Sequence, residues 1–320
     1  MTAPVLRRLL RDRAAVAFGV VLVLLILAFF AAPLYASEVA HTTYAENRPT
    51  EEIVVDGEPT FVVSLDGVPI GPTWESSYFL GADENGRDVM VRLLYGGRNS
   101  VLIGAGATLL TVLLAVPLAL VAGYFRGRVD ALIMRTLDLI WSFPVLLLGV
   151  LVGTAVNLYG LDIGPVTLEA GSMAIPTAVI GVVYVPYLAR PLRGEVLALR
   201  EQRFVEAARA CGMGPARIMV SELLPHLWTG IFVLVPLLFA NAVVLESALS
   251  FLGAGMQPPE PSFGTLIDDG VGEVVLAPHL LLAPCVALVL VVLALGGVGD
   301  GLRRALDPHG RLALAGVRGR

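Results

Sequence analysis

The amino-acid sequence predicts an all-α polytopic membrane protein with six transmembrane helices and a small external insert between the first two. Three observations carry that prediction. Of 320 residues, 56% are hydrophobic and only 15% are charged, against roughly a quarter charged in soluble domains. Charge-free runs long enough to cross a hydrocarbon core of about 30 Å recur six times. The basic residues, every one of them arginine, fall into alternate loops between those runs. Six buried helices of a soluble protein would have no reason to sort arginine in this way.

The first run is Ala14–Ser37. A basic start followed by an apolar run also describes a secretory signal, and Leu34, Tyr35 and Ala36 form a passable cleavage context. The run is longer than a signal core, and its removal would put the arginine bias out of phase, so it is expected to stay as an anchor. The second run is Asn99–Phe125, the third Leu139–Leu161, the fourth Ala170–Ala189, the fifth Leu223–Leu245 and the sixth Val274–Gly299. A shorter run, Ser247–Pro259, has too few residues to cross and is broken by Gly253, Gly255, Pro258 and Pro259. It is expected to form a re-entrant or interfacial loop.

Arginine placement orients these spans. Eighteen of the 22 arginines flank the first span's start, the second turn, the 190–217 stretch and the end of the chain, leaving Arg48, Arg87, Arg92 and Arg98 opposite. Both termini are therefore expected in the cytoplasm. The opposite loop, 38–98, carries eleven acids. Within it, "EEIVVDGEPTFVVSLDGVPIGP" has β-branched runs and Asp-Gly turns that predict one or two small hairpins. The expected organisation is 1–37 (N-terminus and first helix), 38–98 (external loop), 99–308 (five-helix core with a coupling loop at 201–225) and 309–320 (cytoplasmic tail).

Composition also excludes functions. Without lysine the chain holds neither a phosphate-loop lysine nor a Schiff-base lysine, so any ATP hydrolysis must come from another subunit. Cys211 and Cys285 are assigned to a loop and a span, so they are not expected to pair. His226 and His279 fall on opposite sides of the membrane, and no metal site is expected from them.

The most informative stretch is "EQRFVEAARACGMGPARIMVSELLPHL", residues 201–227. Phe204, Ala207, Ala208 and Cys211 recur at helical spacing, which predicts a short amphipathic helix with these four on its apolar face. Gly212 stops it, Pro215 suits a first helical turn, and a second helix runs into Leu223, Leu224 and Pro225. Physical reasoning leaves two readings of this elbow: insertion into a partner's groove, or an arginine-studded helix lying among lipid headgroups.

The stretch resembles the EAA loop of the membrane-spanning subunits of binding-protein-dependent ATP-driven importers, with Glu206, Ala207, Ala208, Gly212, Leu224 and Pro225 in the motif positions. Glu222 departs from the aliphatic residue usual there. Three more stretches, Phe79–Gly104, Gly123–Leu148 and Leu245–Ile267 with Gly299–Pro308, are similar to the C-type permease of the dipeptide and oligopeptide branch. The resemblance implies a type I importer transmembrane fold in the bacterial inner membrane. It implies no catalytic site and no cofactor on this chain, ATP and magnesium being held by partner ATPases. The implied partners are a second permease subunit, two ATPase subunits, an extracytoplasmic substrate-binding protein and lipid, with no nucleic acid. The implied activity is peptide import, with the loop coupling ATPase closure to the spans. The alternative class, a secondary transporter or channel, would need carboxylates near the midplane, whereas the acids here cluster at span ends.

Polar residues at the span ends complete the candidates. Arg135 and Asp138, and Asp300 and Arg303, are each three apart on a helix, which predicts two structural ion pairs. Asn241 and Glu246 lie near the external gate; Glu246 could meet a peptide's amino group, but a loop-pinning role is preferred. Trp141 and Tyr184 are expected to pack rather than to line a path.

Overall fold

The computed structural model describes residues 7–306, apart from Asp56, Ser76, 164–165 and 169–170. The tail at 309–320 and Pro308 lie outside the described residues. The apolar runs become helices, mostly longer than the runs themselves. α1 (Arg13–Phe30) starts at the Asp12 cap, whose carboxylate accepts from the Ala14 and Ala15 amides, and α2 (Ala32–Glu38) continues it. The predicted hairpin follows, with β1 (Glu52–Val55) antiparallel to β2 (Glu58–Phe61), and a bridge joins Val63 to Pro69 beyond it.

The second span is α3 (Val89–Phe125), which begins ten residues before the charge-free run and so carries Arg92 and Arg98. Asp88 explains the early start: its carboxylate accepts the Val91 amide at 3.0 Å, satisfying a donor that the first turn leaves open. α3 is the central pillar. Close approach is built in where glycine leaves room, since a Cβ at Gly104 or Gly123 would come within 2.6 Å of Val243 or Val196.

The third span departs from its predicted form. Instead of one helix over Leu139–Leu161, the chain makes α4 (Gly127–Trp141) and α5 (Val145–Tyr159), bent by 83° to each other. The break falls at Ser142–Pro144, where Pro144 disfavours helical geometry in the residue before it. After α5 comes a small unpredicted hairpin, β3 (Leu161–Ile163) with β4 (Val166–Leu168). The fourth span, α6 (Ala174–Val183) with α7 (Val185–Leu199), begins later than predicted and runs past Arg190 and Arg193 to Leu199. Arginines there extend to acids on α4, so charge does not end the helix.

α8 (Arg203–Ala210), α9 (Pro215–Arg217), a π-helical segment (Ile218–Leu223) and α10 (Leu224–Phe251) follow, the last three forming one continuous helix over Pro215–Phe251. α10 absorbs residues 247–251 of the expected re-entrant loop, leaving a connection at 252–262 and a short helix, α11 (Phe263–Gly272). α12 (Pro278–Leu306) closes the chain. Among the described residues five helices are long and apolar enough to cross a membrane, and six if α4 and α5 count as one broken span. α1 packs on α12 and α3 with Val20, Leu24 and Leu27 exposed, as suits a lipid-facing helix.

Candidate functional site

The elbow between α7 and α10 is built from local rules. α8 ends in a complete Schellman closure: the Gly212 amide donates to the Arg209 carbonyl at 2.9 Å and the Met213 amide to the Ala208 carbonyl at 3.1 Å. Gly212 takes φ +78° to make that turn, and a Cβ there would meet nothing, so glycine is required by the backbone rather than by space. Gly214 is extended and Pro215 opens α9, where its missing N–H costs no bond. The π segment ends with the Leu224 amide bonded to the Met219 carbonyl. The wider turn lies just before Pro225, whose ring would crowd the carbonyl of a regular α-turn.

The face of α8 is rotated from the predicted one. Val205 and Ala208 are buried, with Phe204 half-buried, while Ala207 and Cys211 are exposed beside Glu206. The reason is tertiary: Val205 and Ala208 meet Ile218, Leu223 and Leu227 of the following helix and Leu192 and Val196 of α7 in one apolar cluster. Phe204 stacks on His226, ring centroids 4.8 Å apart. The outward surface of the elbow thus carries Glu206, Ala207, Gly212 and Pro215, while Leu224 is half-buried and Pro225 exposed at its base. Glu206 makes no ion pair among the described residues.

The elbow is seated by ion pairs that the sequence spacing did not identify. Asp138 pairs with Arg190 at 2.7 Å, not with Arg135, which is exposed and without an ion pair among the described residues. Arg190 also lies over the Trp141 ring at 4.4 Å. Arg193 grips Asp130 through both nitrogens of a fork, at 2.6 and 2.5 Å. Arg126 meets Glu201 at 2.9 Å, and Arg200 donates to the Tyr124 carbonyl. The second predicted pair also fails: Asp300 and Arg303 are both exposed and unpaired with each other, and the neighbouring Arg304 instead holds Asp12 at 2.8 Å. For Asp138, i, i+3 spacing permits a contact that competes poorly with an oppositely charged side chain from an adjacent helix.

At the other end, Asn241 is half-buried and its carbonyl accepts from the Tyr184 hydroxyl at 3.3 Å. Glu246 is fully enclosed within α10, with the Ser250 hydroxyl donating to it at 2.7 Å. It therefore faces protein rather than an open gate. A largely buried cluster that the sequence reading missed lies at the same end of the molecule: Arg92 of α3 bonds Asp83 at 2.5 Å and Asp269 of α11 at 2.8 Å, while Arg87 bonds Asp83 at 2.7 Å. An arginine on the insert side of an arginine-sorted chain was the available signal. His279 reaches this region by donating its Nε2–H to the Ala82 carbonyl at 3.3 Å, and His226 lies at the elbow.

Comparisons with known proteins place this architecture. A family model described as binding-protein-dependent transport system inner membrane component matches residues 115–311, and one described as the N-terminal TM domain of oligopeptide transport permease C matches residues 2–50. Similar relatives include the glutathione transport system permease protein GsiD of Pectobacterium atrosepticum, 33% identical over 94% of this chain and 89% of its own. The oligopeptide transport system permease protein OppC of Escherichia coli K12 is 32% identical over 95% of this chain and 90% of its own. The dipeptide transport system permease protein DppC of Alkalihalophilus pseudofirmus is 32% identical over 91% and 85%. Among solved structures, the inward-facing MetNI methionine ABC transporter matches with a TM-score of 0.55 at 18% identity, over 68% of this chain and 98% of that one. With these matches spanning nearly the whole chain, and with an arginine-seated elbow joined to a bundle of membrane-length helices, the protein belongs to the binding-protein-dependent transport system inner membrane component family and is a multi-pass inner-membrane permease subunit of an ABC importer.

Proposed function

We propose that this chain pairs with a second, related permease to enclose a path for small peptides, and that its elbow is where ATPase subunits push on it. The relatives named for oligopeptide, dipeptide and glutathione transport share a peptide cargo, which supports that substrate class. An extracytoplasmic binding protein delivers the peptide to the insert side, and both termini lie in the cytoplasm with the arginine-rich ends. ATP and magnesium sit on the ATPase subunits, whose closure moves the elbow.

The observation that carries this reading is the shape of the elbow. A short helix closed by Gly212 presents Glu206 and Ala207 outward, while its inner face is bolted by Val205 and Ala208 to the helix that continues unbroken to Phe251. A push on the outward face is therefore delivered to a membrane-spanning rod. Glu206→Arg reverses the outward charge, and Gly212→Pro removes the left-handed turn. Each is expected to abolish uptake by the assembled importer in proteoliposomes while the chain still inserts in the membrane. Uptake at the unmodified level in either variant removes the coupling assignment.

A further inference from the structure

Glu246 is a carboxylate where an apolar residue would be expected. It lies within α10, wholly enclosed, with no ion pair among the described residues. Four serine hydroxyls surround it: Ser247 and Ser250 from its own helix, Ser100 from α3 and Ser262 from the cap of α11. Ser100 and Ser262 are themselves fully buried.

The hydrogen count is one-sided. Ser250 Oγ already accepts the Met256 amide at 2.9 Å, Ser100 Oγ accepts the Phe263 amide at 3.1 Å, and Ser262 Oγ accepts the Thr265 amide at 3.3 Å. A hydroxyl that has accepted a backbone N–H turns its single hydrogen toward another acceptor, and a carboxylate supplies one. Each hydroxyl therefore relays between Glu246 and the backbone of the 252–262 connection or the start of α11. The same connection is tied to α3 by Asn99, which donates to the Pro261 carbonyl at 2.8 Å, and to the insert by the Tyr44–Glu260 bond at 2.7 Å. At Gly264 the backbone of α11 presses on the Ser247 carbonyl so closely that no Cβ would fit.

We infer that Glu246 is a positioning residue for transport: it clamps the outer ends of α3 and α10, the 252–262 connection and the start of α11 into one rigid body. The elbow's displacement, carried up the continuous helix Pro215–Phe251, then reaches the outer face as movement of that whole body. The inference rests on the elbow reading above, and its test separates the two.

The test uses the complete importer in liposomes, with both permeases, the ATPases and the binding protein. Glu246→Gln keeps the shape but turns an amide donor toward hydroxyl hydrogens. It is expected to lower uptake about tenfold, the scale of one lost charge-assisted hydrogen bond, while ATP hydrolysis holds near the unmodified rate. Glu246→Asp is expected to recover part of the uptake. Unchanged uptake in Glu246→Gln overturns the inference, as does a parallel fall of uptake and hydrolysis.

A second readout does not depend on the elbow. Spin labels at Leu102→Cys and Leu252→Cys, both exposed, are placed in a background with Cys211→Ser and Cys285→Ser. Their separation is expected to stay the same with and without ATP and to broaden in Glu246→Gln. A separation that changes with ATP in the otherwise unmodified chain overturns the rigid body. Should Glu246→Gln fail to assemble, Ser100→Ala and Ser262→Ala each remove one hydroxyl and are expected to lower the ratio of uptake to hydrolysis; an unchanged ratio in both overturns the clamp. Normal uptake in Gly212→Pro would sink the elbow reading and leave the spin-label result standing.

Discussion

The insert end and the arginine-rich end of this molecule are both held by charged groups, but in opposite surroundings. At the insert end Asp83 is 1% exposed, Arg92 3% and Glu246 0%. At the arginine-rich end the side chains of Asp138, Glu201 and Arg304 are 63%, 59% and 55% exposed in their pairs. Water competes for every contact of the second set and for almost none of the first. A pair in water contributes about 0–1 kcal/mol and exchanges partners at little cost. Removing one member of a buried pair strands the other and costs about 3–5 kcal/mol. Apart from the Arg193–Asp130 fork, whose carboxylate is only 15% exposed, rigidity is thus concentrated at the outer end, and exchangeable contacts at the end where a partner is proposed to push. A permease that must move as bodies rather than deform has use for both.

The sharpest way to break this comparison is Arg92→Ala. It takes from Asp83 and Asp269 the guanidinium they share, leaving them only Arg87, and is expected to destabilise the chain by about 2–3 kcal/mol, seen as a lowered thermal transition in detergent. Stability equal to the unmodified protein would show that the buried cluster does not hold the insert end. Gly212→Ala comes next. The added methyl meets nothing, so only the left-handed backbone is penalised, by about 1 kcal/mol. A loss several times larger would reveal a steric role that the open surroundings of Gly212 do not suggest.

Asp138→Asn should have the smallest effect on stability, below about 1 kcal/mol and shrinking further as salt is raised. A large, salt-independent loss would mean that the arginine-rich end is as rigid as the other. The Tyr44 bond to Glu260 sharpens the contrast through pH. The hydrogen bond to the carboxylate, then burial, pushes the Tyr44 phenol up from 10 to about 12. A raised value means that this tie is fully present below pH 10 and is lost as pH climbs through about 12. Tyr44→Phe removes the tie at every pH below that window, so it should lower stability near neutral pH and flatten the fall in stability across the window.

Much of this arrangement was legible in the chain. The apolar runs located the helices because lipid demands length and absence of charge, and Gly212 and Pro215 marked the elbow because each has one conformational use there. The broken third span was less legible, although Pro144 stood at its break, because apolar periodicity continues across the bend. The exposed face of α8 was misread because Phe204, Val205, Ala207 and Ala208 are all apolar or small, and periodicity alone does not rank them. Arg135 with Asp138, and Asp300 with Arg303, show the same limit for charge: spacing along one helix lists the partners within reach, while Asp138 took Arg190 from another helix and Arg304, next to Arg303, took Asp12 from the other end of the chain.

Sequence alone settled the class of protein, the count and placement of apolar segments, the elbow and its family, since each depends on composition or on residues near one another in the chain. Which carboxylate met which arginine, which face of α8 turned inward, and that Glu246 would be ringed by serines from three elements depended on how helices distant in sequence approach one another. Those contacts are won by geometry between helices, where the strength of a charge or hydroxyl depends on what water is excluded from it.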